Sequence, residues 1–100
     1  MPLSGKQRRY LRGLGHNLEP LVQLGKEGLT EGVSSAVDAA LQQHELVKVR
    51  IGTECPDDRH DVALRLAPMV KSEVAQVLGR TMLLWRKRTK DSKIQLPKEA

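Results

Sequence analysis

The sequence lacks phenylalanine and has little aromatic surface of any kind. Tyr10 and Trp85 are the two aromatic residues in 100. Because hydrophobic residues still make up 39% of the chain, the core must be aliphatic, built mainly from leucine and valine. A chain of this length is enough for one small domain with one core, but not for two.

Cysteine is almost missing, and long hydrophobic runs are absent. Cys55 is the single cysteine, which excludes an intramolecular disulfide and a cysteine-based metal cluster. No apolar run approaches the length that crosses a bilayer, and the N-terminal residues lack the apolar core of a signal peptide. We therefore expect a soluble, cytoplasmic protein with no membrane partner.

Catalytic and cofactor motifs are missing as well. The histidines, His16, His44 and His60, lie far apart. No Ser-His-acid pattern, metal-ligand spacing or phosphate-binding Gly-Lys-Ser/Thr loop occurs. Three aspartates within residues 57–61 fit acids at a helix start better than metal ligands. We expect no catalytic residue, no metal, no cofactor and no enzymatic activity.

Basic residues dominate both ends of the chain, while its middle is acidic. Residues 1–15 contain four basic residues and no acid, and residues 80–93 contain six basic residues and one acid. Residues 16–79 contain ten acids against six basic residues. Such segregation is typical of a surface that faces a polyanion. The predicted basic face consists of Lys6, Arg8, Arg9, Arg12, Lys48, Arg50, Arg80, Arg86, Lys87 and Arg88.

Hydrophobic periodicity predicts seven elements in the order α-β-α-β-α-β-β. Helices are expected over residues 3–14, 30–44 and 58–72, and strands over residues 21–24, 45–51, 74–78 and 81–86. Pro68 should kink the third helix or end it early. Strands joined through helices should pair in parallel, and the last two should form an antiparallel hairpin. The prediction is a compact two-layer α/β sandwich with a mixed four-stranded sheet.

A glycine-rich loop separates the first strand from the second helix. Gly25-Lys26-Glu27-Gly28 has the form Gly-x-x-Gly. Two flexible residues would let the backbone approach a phosphate, towards which the first N–H groups of the helix point. Lys26 would add a positive charge to that approach. On this pattern alone, however, a plain strand-to-helix turn is the better interpretation.

The chain also contains four linked segments in a fixed order: LRGLGHNLEP (11–20), VQLGKEGLT (22–30), HELVKVR (44–50) and VLGRTMLLWR (77–86). Together they resemble the CRM domain (chloroplast RNA splicing and ribosome maturation), as found in free-standing bacterial YhbY-type proteins. The resemblance covers residues 3 to about 88. It implies a fold similar to the C-terminal domain of translation initiation factor three. Residues 1–88 would form this domain, and residues 89–100 a charged, flexible tail.

The resemblance further implies an RNA-binding protein that acts on ribosomal RNA or large-subunit precursors in ribosome assembly. The contacts would be the basic face and a KH-like loop of Gly25, Lys26, Glu27 and Gly28. Glu27 places an acid inside that loop, so its affinity should rest on backbone N–H groups and Lys26. Trp85, where the family usually has tyrosine, would stack on a base. We expect the protein to act as a monomer.

Two other functions stay open on the sequence. The chain could be an adapter that docks on a ribosomal protein or another acidic partner, with incidental RNA contact. It could also bind DNA, although nothing in it resembles a helix-turn-helix.

Overall fold

Seven elements follow one another in the predicted order in a computed structural model that describes residues 3–90 and 92–97. The helices are α1 (Gly5–Gly15), α2 (Glu31–His44) and α3 (Arg59–Met69). The strands are β1 (Val22–Leu24), β2 (Leu46–Ile51), β3 (Glu73–Leu78) and β4 (Thr81–Trp85). The α/β class and the mixed four-stranded sheet are confirmed.

The sheet has the strand order β1-β2-β4-β3. β1 and β2 pair in parallel, as predicted, and β3 and β4 form the expected antiparallel hairpin. The prediction that β2 and β3 pair directly is wrong, because β4 lies between them and is antiparallel to both. The reason lies in β4, where Met82, Leu83 and Leu84 are all buried. A strand that buries side chains on both faces belongs in the middle of a sheet.

Each helix begins at a side chain that accepts hydrogen bonds from free backbone N–H groups. Ser4 forms a capping box with Gln7, Thr30 accepts from the N–H of Val33, and Asp58 accepts from residues 60 and 61. Such caps are worth about 1 kcal/mol each. α3 ends at Met69, one residue after Pro68, which confirms the early end.

The two faces of the sheet are covered differently. Helices α2 and α3 cover one face, where Val47, Val49 and Ile51 are buried. On the other face, Leu46 and Leu83 pack against Leu11 of α1, together with residues 94 and 96 from the C-terminal segment. This second layer covers only part of its face. It leaves Lys48 partly exposed and Arg50 exposed on the same side of β2.

Gly15 sets the distance between α1 and the sheet. A Cβ atom at this position would lie 2.5 Å from Cδ1 of Leu83. We expect Gly15→Ala to lower the free energy of unfolding by about 1 kcal/mol, because the overpacking penalty exceeds the gain in helix propensity. Gly13 is the matched control, since a Cβ atom at Gly13 would have nothing within 4 Å. Gly13→Ala should raise stability by about 0.5–1 kcal/mol in urea unfolding. Equal effects of the two variants would contradict this packing argument.

Candidate nucleic-acid interface

A concavity on the open face of the sheet brings together predicted cations from two separate parts of the sequence. It lies between α1 and the strands and is lined by Arg9 and Arg12 of α1 and Lys48 of β2. We call this surface the open-face concavity. Its remaining polar lining comes from His16, Gln76 and Thr81.

Local structure explains why these cations converge. Leu11 and Gly15 are the buried residues of α1. Arg9 and Arg12, three residues apart, therefore lie next to each other on one side of the line of contact with the sheet. Along β2, side chains alternate between the two faces. Val47 and Val49 are buried under α2 and α3, which places Lys48 on the open face.

Three further predicted cations surround this concavity. Arg50 follows Lys48 on the same face and pairs in register with Thr81, a lining residue. Lys6 and Arg8 are exposed on α1. Lys6 lies three residues before Arg9, and Arg8 lies four residues before Arg12. At these spacings each residue neighbours one of the lining arginines on the helix surface. Within residues 3–90 and 92–97, none of these six cations forms an ion pair.

The Gly-x-x-Gly loop is a turn whose two glycines differ. The N–H of Gly28 donates to the carbonyl of Gly25 at 3.0 Å. Gly28 has a φ of +71°, and a Cβ atom there would lie 2.4 Å from Oδ2 of Asp57. Gly25 has a φ outside the left-handed region and open space around it. The fold therefore requires glycine at 28 but not at 25.

Asp57 ties this loop to the start of α3. Its Oδ2 accepts from the N–H of Leu29 at 3.2 Å and lies 3.5 Å from Nη2 of Arg65. One N–H group that a phosphate could use at the start of α2 is thus already taken by a carboxylate. Lys26 and Glu27 remain exposed at the tip of the turn.

Arg80 lies at the same end of the sheet as this loop. Its Nη1 donates to the carbonyl of Gly52 at 3.3 Å, and the N–H of Gly52 donates to the carbonyl of Leu24 at 2.8 Å. Leu24 immediately precedes Gly25. The structure thus brings Arg80 and Lys26 to one end of the domain.

The guanidinium of Arg86 forms hydrogen bonds within the domain. Its Nη1 lies 2.7 Å from both Oδ1 of Asp38 and the carbonyl of Val70, and its Nη2 donates to the carbonyl of Asp38 at 3.1 Å. These contacts join β4 to α2 and to the end of α3. A phosphate contact through Arg86 stays a prediction, but it would compete with this network.

Lys87 and Arg88 lie at the opposite end of the sheet from the loop. They follow β4, whose last residue, Trp85, pairs in register with Leu46 at the start of β2. Trp85 itself is half-buried and, like Ile94 and Leu96, packs against the cluster that contains Leu11 and Leu46. Its Nε1 is buried and has no acceptor among the residues that the structure describes. Base stacking on Trp85 stays a prediction, and Ile94 and Leu96 of the C-terminal segment line one concavity together with Trp85.

Glu45 holds that C-terminal segment in place. Its carboxylate accepts hydrogen bonds from the N–H groups of Arg88, Lys93 and Ile94 and from Oγ of Ser92, at 2.6–3.2 Å. Burial raises the pKa of Glu45, but the bonds from Ser92 and the three N–H groups outweigh it, so the pKa lies below its usual range. We call residues 87–90 and 92–97 the C-terminal strap.

Sequence reasoning missed Glu45, although one signal was present. The predicted strand over residues 45–51 places Glu45 on the side of the buried Val47, Val49 and Ile51, although in the structure Glu45 precedes β2 and its φ of 62° interrupts this alternation. A carboxylate at an inward position needs partners. Nothing in the sequence says that residues 88–94 supply them. That residues 89–100 form a flexible tail stays a prediction, and residues 91 and 98–100 lie outside the described part of the chain.

The geometry defines the class of protein: a small α/β domain whose open sheet face presents cations that form no ion pair with any described residue, as polyanion-binding proteins do. The described residues include no helix long and apolar enough to cross a membrane. The CRS1 / YhbY (CRM) domain matches residues 3–86. The chain therefore belongs to the CRS1/YhbY (CRM) domain family.

Relatives match along nearly the whole chain. "Probable RNA-binding protein YqeI" of Bacillus subtilis is 36% identical, over 95% of this chain and 99% of its own length. An "RNA-binding protein" of Haemophilus influenzae is 37% identical, over 97% of both chains. The solution structure of the hypothetical protein SAV1595 from Staphylococcus aureus superposes with a TM-score of 0.82 at 38% identity, covering 95% of this chain and 99% of that one.

Proposed function

We propose that this protein binds RNA through the open-face concavity and the adjoining Gly-x-x-Gly loop. The observation that carries the proposal is the convergence of Arg9, Arg12 and Lys48, from separate parts of the sequence, on one surface. Relatives that match nearly the whole chain are named RNA-binding proteins. The target is ribosomal RNA or a precursor of the large ribosomal subunit, bound without catalysis by a cytoplasmic monomer during ribosome assembly.

The proposed mechanism combines electrostatic attraction by the cations with close approach of the RNA backbone at the Gly25 turn. Cations on α1 and β2 neutralise successive phosphates, and each neutralisation releases condensed counterions. At the end of β1, Gly25 has no side chain, and the space that a Cβ atom would enter there has nothing within 4 Å, so an RNA backbone can approach the turn closely. Lys26 and Arg80 lie at that end and supply positive charge. Asp57 limits the number of N–H groups that the loop can offer to a phosphate, because its carboxylate already accepts from the N–H of Leu29.

A salt titration tests this proposal. With fragments of large-subunit ribosomal RNA, log Kobs should fall against log salt with a slope of about −2 or steeper, since three phosphates neutralised contribute about −0.7 each on single strands. Structured RNA should outcompete duplex DNA of equal length. A flat salt dependence would contradict the electrostatic mechanism, and stronger binding to the duplex would favour the DNA-binding alternative.

An adapter function is the second candidate, and a specific surface favours it. Leu14, Leu18 and Leu21 are 39–53% exposed and line one groove together with Leu46 and Ile94. Contiguous exposed apolar side chains are typical of protein contacts. Nuclease treatment separates the two functions. Loss of co-sedimentation with pre-ribosomal particles after RNA digestion supports RNA as the tether, whereas retention supports the adapter.

A further inference from the structure

The C-terminal strap carries a cluster of cations that the open-face concavity does not include. Lys87 and Arg88 lead out of β4, and Lys90 and Lys93 follow. Lys87, Arg88 and Lys90 line a concavity beside Leu41 and Gln42 of α2. Within the described residues, none of the four cations forms an ion pair.

The strap is held by a buried group. Glu45 is 1% exposed and adopts a left-handed φ of 62°, a conformation that is costly for residues other than glycine. Its N–H donates to the carbonyl of Leu41, at the end of α2, and its carbonyl accepts from Arg86. Glu45 therefore joins α2, β2 and the strap at one point, and its carboxylate satisfies three strap N–H groups and the Ser92 hydroxyl.

Further contacts keep the strap close to the sheet. Ile94 and Leu96 pack against the cluster that contains Leu11 and Leu46, and Nε2 of Gln7 donates to the carbonyl of Pro97 at 3.2 Å. Ordering these residues before a partner arrives removes part of the entropy cost of binding. A buried carboxylate directed at backbone N–H groups also leaves the basic side chains free to face outwards.

We propose that the strap is a second contact for the RNA phosphate backbone, separate from the open-face concavity and positioned by Glu45. This inference rests on the proposed RNA-binding function. The strap and the Gly-x-x-Gly loop lie at opposite ends of β2, about 17 Å apart at ~3.3 Å per residue. Lys48 and Arg50 lie between them on the open face. One RNA strand that follows β2 over the open face and continues past the end of the sheet towards α2, where Lys87, Arg88 and Lys90 lie, would touch the loop, the concavity and the strap in turn.

Single-charge variants test the contact. At 0.15 M monovalent salt, Lys90→Gln should weaken RNA binding about fourfold, and Lys87→Gln with Lys90→Gln about 15-fold, because each lost phosphate contact removes about 0.7 from the salt slope. Ser35→Asp is the matched control, since it lowers the net charge by the same amount at an exposed position of α2, in the helical layer on the other face of the sheet. It should change affinity by less than about twofold, the size of a screened long-range effect.

Glu45→Gln tests the positioning role. The amide offers one acceptor oxygen where four donors converge, so the strap should detach. The emission of Trp85, the single tryptophan, should shift to longer wavelength, because water would replace the strap residues beside its ring. RNA affinity should fall, and the loss should overlap with that of the Lys87 and Lys90 variant instead of multiplying with it, as coupled sites require. If Glu45→Gln does not fold, Ser92→Ala removes one donor at 2.7 Å and should give the same changes on a smaller scale.

The outcomes separate this inference from the proposed function. If the unmodified chain binds no RNA, the proposed function fails and the strap contact with it. If the chain binds RNA and the Lys87 and Lys90 variant binds equally well, the strap contact alone is overturned. Full affinity in Glu45→Gln, with shifted Trp85 emission, would overturn the positioning role. Loss of binding to an acidic protein, with RNA affinity unchanged, would assign the strap to a protein partner and contradict the proposal.

Discussion

Replacing Arg9, Arg12 and Lys48 together with glutamine should weaken RNA binding about 50-fold at 0.15 M monovalent salt. The figure follows from three phosphate contacts that contribute about 0.7 each to the salt slope on single strands. The slope itself should become about 2 less steep. Stability should change little, because the side chains line a surface and form no ion pair within the described residues. Fluorescence-anisotropy titrations at several salt concentrations, with urea unfolding in parallel, measure both quantities.

A matched variant controls for net charge. Ser35→Asp with Ala36→Glu lowers the net charge by two at exposed positions of α2, in the helical layer on the other face of the sheet. If the concavity binds the phosphates, this variant should keep affinity within about twofold, since exposed charges beyond a Debye length are screened. A loss per charge equal to that of the triple variant would show that total charge governs binding and that the concavity has no special role.

The way α1 meets the sheet explains why some of this site could be predicted and some could not. The alternation of β2 and the three-residue spacing of Arg9 and Arg12 indicate which way these side chains point. That α1 packs across β2 and β3 depends on Gly15 fitting against Leu83, a contact between residues far apart in the chain. The same packing leaves Tyr10 and Leu14 42% and 41% exposed, although helical periodicity predicts both on the buried stripe. Periodicity describes one helix, whereas burial depends on what the helix meets.

Arg86 and Asp57 show the opposite case, in which local sequence suggests one role and a distant partner supplies another. Arg86 stands beside Lys87 and Arg88 in a basic run, but its guanidinium meets Asp38 of α2. Asp57 stands beside Asp58, which does begin α3, but its own carboxylate reaches the N–H of Leu29. Both partners lie in distant parts of the sequence. A charge run or an acidic cluster cannot show which of its members is used internally.

The two glycines of the Gly-x-x-Gly loop should respond very differently to substitution. Gly28→Ala should lower the free energy of unfolding by about 2–3 kcal/mol, because the left-handed φ costs about 1–2 kcal/mol and the new methyl group displaces the Asp57 carboxylate. Displacement also removes the bond from Asp57 to the N–H of Leu29. Gly25→Ala should leave stability within about 0.5 kcal/mol, as expected for an unhindered surface position. Urea unfolding of the two variants measures this difference.

RNA affinity completes the test, because Gly25 can be changed without disturbing the fold. Gly25→Asp adds a carboxylate where the proposed backbone approach is closest, and it should weaken RNA binding about fourfold or more, the equivalent of at least one phosphate contact at 0.15 M salt. Ser35→Asp, at an exposed position of α2, adds the same charge away from the turn and should have a much smaller effect. If Gly25→Asp binds RNA as well as Ser35→Asp does, the loop is a plain turn that Gly28 and Asp57 hold in shape. The concavity and the strap would then carry the RNA contact without it.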